Sequence, residues 1–185
     1  MERQDNYVIS VLTDTSRLNE IYKLRVEAWE ASLSSNIINH NKYPEGFTDE
    51  FDNDSIHLIA TYTDSNTIMS ACRVTFFENL NSYPYIGIEK KGQFPTSNFS
   101  LIGRGVRDIN FRFKRLQYDF VSLALDICRK NQIKHATGHA YNENVYMQNL
   151  MLELGFDFYC DMEKENYRNS DIGFPGKLFI ADLTK

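Results

Sequence analysis

Residues 98–156 read NFSLIGRGVRDINFRFKRLQYDFVSLALDICRKNQIKHATGHAYNENVYMQNLMLELGF. Within them, Phe99-Ser-Leu-Ile-Gly-Arg-Gly-Val-Arg-Asp-Ile109 alternates as a strand, and Gly103 and Gly105 fall on one face because side chains repeat every second residue. Interior glycines weaken a strand, so two on one face leave two readings open: a ligand or another backbone comes close, or the strand carries a bulge. After the turn Asn110-Phe-Arg-Phe-Lys-Arg115, the residues Leu116, Phe120, Leu123, Ala124, Ile127 and Cys128 recur at helical spacing. Arg129 and Lys130 suit the C-terminal dipole of that helix, and Asn131 ends it. Lys134 to Tyr141 is the next strand, and Asn142-Glu-Asn144 starts a second helix with buried stripe Met147, Leu150, Met151 and Leu154, closed by Gly155-Phe156. Two parallel strands joined by a right-handed helical crossover follow from this order.

The first of these helices begins just after a cationic turn. Free backbone N–H groups with Arg112, Lys114 and Arg115 attract a phosphate or pyrophosphate. A solvated basic turn is the plainer alternative.

The order strand, basic turn, helix, strand, N-x-N, helix, L-G-F resembles the acyl-CoA N-acyltransferase (GNAT) superfamily. On that resemblance Arg112-Phe-Lys-Arg-Leu-Gln117 occupies the pyrophosphate-binding loop, with Arg112, Lys114, Arg115, Leu116 and Gln117 as donor contacts, and Asn144 opens the closing N-x-x-A…Y-x-x-x-G-F segment. Backbone N–H groups near Val106 and Arg107 are the thioester-carbonyl and pantetheine contacts that such a fold implies. The chain departs from the pattern in two places: Arg115 and Gln117 replace the loop glycines, and Met151 replaces the tyrosine that often serves as general acid.

A narrower likeness accounts for the missing glycines. The spaced series Leu24-Arg25…Trp29, Asp49-Glu-Phe-Asp52…His57-Leu-Ile-Ala60, Arg73 and Arg104 resembles the acyl-homoserine lactone synthases and related N-acyl amino acid synthases. These are GNAT-fold enzymes with a glycine-poor phosphate loop whose acyl donor is usually an acyl carrier protein. The resemblance runs from Leu18 to Phe156. It implies that Arg25, Trp29, Asp49, Asp52 and Arg73 serve the substrate side, and that Arg104 is a catalytic residue in the cleft. Here too the chain departs, since Leu101 stands where the synthases carry a Glu three residues before the strand Arg, a candidate general base.

The rest of the chain fits one domain, residues 1–185, large enough for a substantial core. Hydrophobic content of 42% with 14% aromatic residues excludes a disordered chain. A net charge of -5 argues against a nucleic-acid binder, which neutralises phosphates with a basic face. Against that background Arg104, Arg107, Arg112, Lys114 and Arg115 form a local cationic cluster suited to coenzyme A phosphates or to the acidic surface of a carrier protein. Cys72, Cys128 and Cys160 show no metal or redox spacing, and His40, His57, His135 and His139 show no zinc spacing, so no metal is expected. The three odd cysteines read as small buried groups in a reducing compartment. With a polar start and no run of membrane length, the expectation is a cytoplasmic protein.

Tyr7 to Leu12 reads as the first strand, and Asp14 or Ser16 caps a helix in which Leu18, Ile21, Tyr22, Arg25, Val26 and Trp29 recur at helical spacing. Arg25 lies on or beside the buried stripe, which is costly unless it is paired. Asp49 and Asp52 are the partners that the resemblance implies; a surface Arg that snorkels is the alternative. Residues 32–50 form a long polar loop, which in the resembled synthases helps cover the acceptor and is expected to move without ligand. Residues 55–62 and 67–77 make a hairpin around Asp64-Ser-Asn66. In the irregular stretch 79–97, Tyr83, Tyr85, Ile86, Ile88 and Phe94 cover the core or an acyl pocket. Residues 157–162 and 178–183 are the final strands. The fold class expected is therefore α/β (α+β): a single GNAT-like domain with about seven strands in a mixed, mainly antiparallel sheet, about four flanking helices and a parallel central pair.

Amine attack on a thioester needs a neutral amine, a donor to the carbonyl and a proton for the leaving thiolate. With Met151 in the acid's usual place, Tyr141 and Tyr146 are the hydroxyls available. The reading is an N-acyltransferase moving an acyl group from acyl-CoA or an acyl carrier protein to a small-molecule amine. A homoserine-lactone-type synthase using S-adenosylmethionine, and a silent thioester-binding module, are the alternatives.

Overall fold

Alternating apolar residues in short runs rich in β-branched and aromatic side chains form strands wherever one face can be buried. In a computed structural model, which describes residues 7–32, 39–111, 115–168 and 175–185, seven such runs are strands: β1 (Tyr7–Val11), β2 (Ile56–Tyr62), β3 (Ile68–Asn79), β4 (Ser97–Arg107), β5 (His135–Tyr141), β6 (Asp157–Met162) and β7 (Gly176–Asp182). Three α-helices accompany them, α1 (Leu18–Ser32), α2 (Leu116–Lys130) and α3 (Val145–Glu153). The remaining helical pieces among the described residues are single 3₁₀ turns, so the fourth expected helix is represented only by such turns. The strands lie in the order β1-β2-β3-β4-β5-β7-β6, and β4 and β5 run parallel over Phe99–Ile102 against His135–Gly138. This is the mixed, mainly antiparallel sheet with a parallel central pair that the sequence predicts.

The chain divides into two compact units, one of Met1–Val74 and Arg104–Phe120, the other of Thr75–Gly103 and Val121–Lys185. In the first, β1 pairs with β2 from Tyr7↔Tyr62 to Val11↔Leu58, and β2 with β3 from Ile56↔Val74. Asp14 closes the entry to α1, its carboxylate accepting from the Ser16 amide at 3.0 Å. Of the stripe that the spacing predicts for α1, Ile21, Arg25, Val26 and Trp29 are buried and Leu18 and Tyr22 half-buried, and Leu24 is buried beside them. The connection after α1 is held to that helix at its far end: the Phe47 amide donates to Tyr22 O at 3.0 Å, and Phe47 is wholly buried against Trp29 and Tyr43. Gly46 makes this approach with φ 122°, and a Cβ there would lie 2.5 Å from the Tyr22 carbonyl carbon. Only a residue without a side chain fits.

In the second unit, β5 pairs antiparallel with β7 and β7 with β6, while α3 packs on β5 and β6. Asn144 caps α3 by accepting from the Met147 amide at 3.1 Å. Tyr83, Ile88 and Phe94 from the irregular stretch are buried, and Tyr83 and Phe94 form with Phe77 and Phe99 one aromatic cluster whose ring centroids are 5.1–5.7 Å apart. The Tyr83 hydroxyl meets Thr137 Oγ1 at 2.7 Å, and that hydroxyl donates to Ser100 O at 2.6 Å. Tyr85 is half-buried and Ile86 is exposed. All three cysteines are buried thiols. No helix of the described residues is long and apolar enough to cross a membrane.

The Gly46 contact sets a direct expectation. Gly46→Ala combines an unfavourable φ with backbone overlap and destabilises the chain by about 3 kcal/mol or more, read as the shift in urea unfolding midpoint.

Candidate functional site

Arg25 sits on the buried stripe of α1 and is 1% exposed, so its charge must be met inside. Asp52, 2% exposed on a 3₁₀ turn, meets it with both carboxylate oxygens, Nη1–Oδ2 and Nη2–Oδ1 both at 2.8 Å. Asp52 accepts three further bonds, from Thr48 Oγ1 at 3.0 Å, the Asp49 amide at 2.9 Å and Arg73 Nη1 at 2.7 Å. Arg73, on β3, reaches onward to Asp49 Oδ1 at 2.5 Å and Oδ2 at 3.2 Å. Asp49 in turn accepts from Arg104 Nη2 at 2.7 Å and Nε at 3.1 Å. A continuous charged ladder Arg25–Asp52–Arg73–Asp49–Arg104 results, within the first unit.

Burial by itself would raise the carboxyl of Asp52, but the hydrogen bond and charge of Arg25, with the charge of Arg73, outweigh it and hold Asp52 well below the ordinary carboxylate range. Burial likewise pushes Asp49 up, and the charges of Arg104 and Arg73 hold it down. His57, opposite Arg73 on β2, hydrogen-bonds Asp52 O through Nε2 at 2.8 Å, and desolvation lowers its pKa and keeps it neutral. Its Nδ1 and Arg25 Nε are buried with no hydrogen-bond partner among the described residues.

Counting charges along the ladder separates its members. Arg25 and Arg73 balance Asp52 and Asp49, and Arg104 is a further cation. It is also the most exposed, with 21% of its side chain accessible against 3% or less for the others. Its guanidinium lies 5.1 Å from the Phe47 ring centroid and 5.8 Å from that of Trp29, two π faces that favour a cation.

Arg104 also has φ 54°, the left-handed region, inside β4. The two glycines beside it do not, so the irregularity of β4 falls on the arginine and re-aims it. A Cβ at Gly103 would meet only Leu101 at 3.6 Å or more, and one at Gly105 would meet nothing within 4 Å. Among the described residues no other backbone presses on either glycine. Of the two readings open in the sequence, the first is narrowed to a ligand, and the bulge stays open beside it.

The other sequence-predicted residues are placed as follows. Val106 is buried, its carbonyl accepting from Ser70 Oγ at 2.6 Å, and Arg107 is half-buried at the end of β4. Arg115 is exposed just before α2 with its guanidinium over Tyr118; Leu116 is wholly buried and Gln117 half-buried in the first turn. Arg112 and Lys114 lie outside the described residues. In the second unit Asn144 caps α3, Tyr146 is exposed, and Tyr141 is half-buried with its ring 5.2 Å from that of His139. Among the described residues, no group of three or more His, Cys, Asp or Glu is placed to hold a metal ion.

The structure thus joins Arg25, Asp49, Asp52, Arg73, Arg104 and Trp29 in one cluster. Sequence reasoning missed Phe47 and Thr48, and the signal was there: an aromatic after a glycine, just before the two aspartates, in an otherwise polar loop.

Solved structures with this architecture include the AHL synthase LasI, 13% identical with TM-score 0.67 over 97% of this chain and 91% of that one. FeeM, an N-acyl amino acid synthase from uncultured soil microbes, is 9% identical with TM-score 0.70 over 97% and 92%. An acetyltransferase of the GNAT family from Staphylococcus aureus Mu50 is 10% identical with TM-score 0.63 over 95% and 99%. No protein-family model and no curated protein sequence matches the chain. Its fold is the GNAT-like fold of these structures.

Removing one member of a buried charge pair is costly, because the partner is left uncompensated. Asp52→Asn lowers unfolding free energy by about 3–5 kcal/mol. Because Asp49 and Asp52 titrate below their unfolded values, their stabilising contribution is fully present above about pH 4 and is lost as pH falls through the folded values. Thermal unfolding between pH 7 and 2 should show that acid loss in the wild type and a shallower one in Asp52→Asn.

Proposed function

We propose that this chain is an N-acyltransferase that takes an acyl group from a pantetheine thioester, of coenzyme A or of an acyl carrier protein, and transfers it to the amine of a small acceptor bearing a carboxylate. The fold, common to synthases and acetyltransferases, supports acyl transfer. The observation that carries the acceptor is Arg104: a cation beyond the charge balance of its own ladder, partly exposed and bordered by Trp29 and Phe47. A guanidinium so placed offers a fixed fork to a carboxylate, and its aromatic neighbours keep it partly dry. In this reading the whole chain acts as one acyltransferase domain. Arg107, Arg112, Lys114 and Arg115 with the first turn of α2 hold the donor phosphates, Gln117 and Leu116 border them, and the N–H groups near Val106 line the thioester.

Chemically, the amine lone pair forms a bond to the thioester carbonyl carbon, the C–S bond breaks, and the thiolate leaves with a proton that came from the amine. Leu101, buried in place of a strand glutamate, supplies no base. A homoserine-lactone-type reaction is therefore less well served than simple amide formation.

The experiment is thiol release by the purified protein with acetyl-CoA, a long-chain acyl-CoA or an acyl carrier protein thioester, against a panel of amino acids and their decarboxylated amines. Amino acids should be acylated and the matching amines should not. Arg104→Ala should raise the acceptor KM about 10- to 100-fold, the loss of one charge-assisted pair. Its thermal midpoint should fall by less than that of Asp52→Asn, since Arg73 still meets Asp49. Equal turnover of amines and amino acids, or an unchanged KM in Arg104→Ala, would refute the assignment.

A further inference from the structure

Arg104 meets Asp49 with one side of its guanidinium: Nε and Nη2 both donate to Asp49 Oδ2, at 3.1 and 2.7 Å. Nη1 donates to nothing among the described residues, so the outer edge, Nη1 with Nη2, is the fork that a carboxylate can take. Asp49 sets where that fork points, and Asp49 is itself set by the turn that it opens. The Asp49 amide donates to Asp52 Oδ2 at 2.9 Å, the Asp52 amide to Asp49 O at 3.2 Å and the Phe51 amide to Asp49 Oδ1 at 3.1 Å. From outside the turn, His57 at the start of β2 donates its Nε2–H to Asp52 O at 2.8 Å. All of these residues belong to the first unit.

That bond fixes the state of the imidazole. A carbonyl only accepts, so Nε2 carries the hydrogen and Nδ1 the lone pair. His57 is 5% exposed, and Nδ1 is buried without a hydrogen-bond partner among the described residues. The charged groups that act on the ring are Arg25 from α1, Arg73 from β3 and Asp52 from the turn. Beside β1, the Leu12 amide donates to His57 O at 2.8 Å and adds no charge. Arg73 is directly opposite His57 in the β2–β3 register, where like charges are destabilising. Asp52 Oδ1 lies 3.9 Å from Nε2 but is already shared between Arg25 and Arg73. A second proton, on Nδ1, would place a third cation in a dry site with no acceptor for its N–H.

We infer that neutral His57 is a positioning residue for the acceptor's carboxylate: through Asp52 O it holds the turn Asp49–Asp52, and through Asp49 it aims the outer fork of Arg104. This assignment rests on the acyl-transfer reading, and the two are tested apart. Its consequence is acid sensitivity on the acceptor side. Desolvation, with the charges of Arg25 and Arg73, lowers the pKa of His57, so the folded chain keeps the ring neutral where an unfolded one takes up a proton. The stabilisation is complete above about pH 6.5 and begins to be lost as pH falls below it. Asp49 and Asp52 are held below the ordinary carboxylate range and stay ionised in that window. A protonated ring leaves its place, the turn loosens, and Arg104 loses its aim.

Trp29 is the chain's only tryptophan and its ring lies 5.8 Å from the Arg104 guanidinium, so its fluorescence reports on Arg104 without any substrate. Fluorescence and circular dichroism are recorded from about pH 7.5 to about pH 4.5 for the wild type, His57→Gln and His57→Leu. Thiol release with the three donors and the amino-acid panel gives kcat and the acceptor KM over the same range. Glutamine keeps an N–H donor for Asp52 O and takes up no proton, whereas leucine has neither property. The wild type should show a Trp29 transition below about pH 6.5 with its secondary structure intact, and His57→Gln should show none. Across that range the wild-type acceptor KM should rise about 10-fold relative to that of His57→Gln, a ratio from which titration of the amine cancels. At neutral pH His57→Leu should raise the acceptor KM about 10-fold with kcat changed by less than about threefold, and His57→Gln should stay closer to the wild type. In an Arg104→Ala background His57→Leu should add nothing further, because it acts through that fork. If His57→Leu does not fold, His57→Gln carries the test by itself. A Trp29 signal with the same pH course in wild type and His57→Gln, or an equal rise in KM from His57→Leu with and without Arg104, overturns the role of His57 and leaves acyl transfer intact. A wild type that releases no thiol with any pair overturns the acyl-transfer reading, and the Trp29 titration then still decides whether His57 sets Arg104.

Discussion

The buried contact between Arg25 and Asp52 is the constraint from which the first unit is arranged. Taking a guanidinium and a carboxylate out of water costs several kcal/mol for each ion, and only close geometry with further hydrogen bonds offsets it. Asp52 meets that requirement with five donors drawn from α1, β3 and its own loop. The pair therefore does more than neutralise itself: it ties the end of a polar connection to a helix and to a strand, and it fixes the backbone that carries Asp49. The left-handed turn at Gly46 and the buried ring of Phe47 are the apolar half of the same anchorage.

The ladder ends asymmetrically. Two arginines and two aspartates close on one another, and the remaining cation, Arg104, is set on an irregular point of β4 where a side chain rarely accepts the backbone conformation. A strained position is retained when the surrounding structure over-determines it, and such positions gather at ligand sites. Here the determining contacts are the fork from Arg104 to Asp49 and the two aromatic faces beside it. The glycines flanking Arg104 contribute by what they omit, since neither brings a side chain to the strand surface.

The second unit is held by different means. Its centre is aromatic, with Tyr83 buried whole and its hydroxyl satisfied through Thr137 to the backbone of β4. Around the end of β5 the rings are half-buried and carry the polar pair Tyr167 and His139. Packing thus grades from a dry aromatic core to a half-buried, polar margin.

What the sequence determined by itself is local. Period-two and helical spacing placed the seven strands and the helices α1, α2 and α3, because each periodicity reports which face an element buries. The order of residues 98–156 gave the parallel pair, and Arg25 on or beside an apolar stripe left two readings, a buried pair with Asp49 and Asp52 as the partners that the resemblance implies, or a snorkelling surface arginine. What only the tertiary structure decided is which charge meets which. Asp52 takes Arg25 and one bond from Arg73, while Asp49 takes Arg73 and Arg104, and nothing in their spacing distinguishes the two aspartates. It alone put the left-handed residue of β4 at Arg104 instead of at either neighbouring glycine, and it alone brought Tyr167 to His139, 28 residues away. Periodicity encodes burial along one element, whereas pairing depends on how loops without periodicity return the chain, and that is settled only when the whole core is packed.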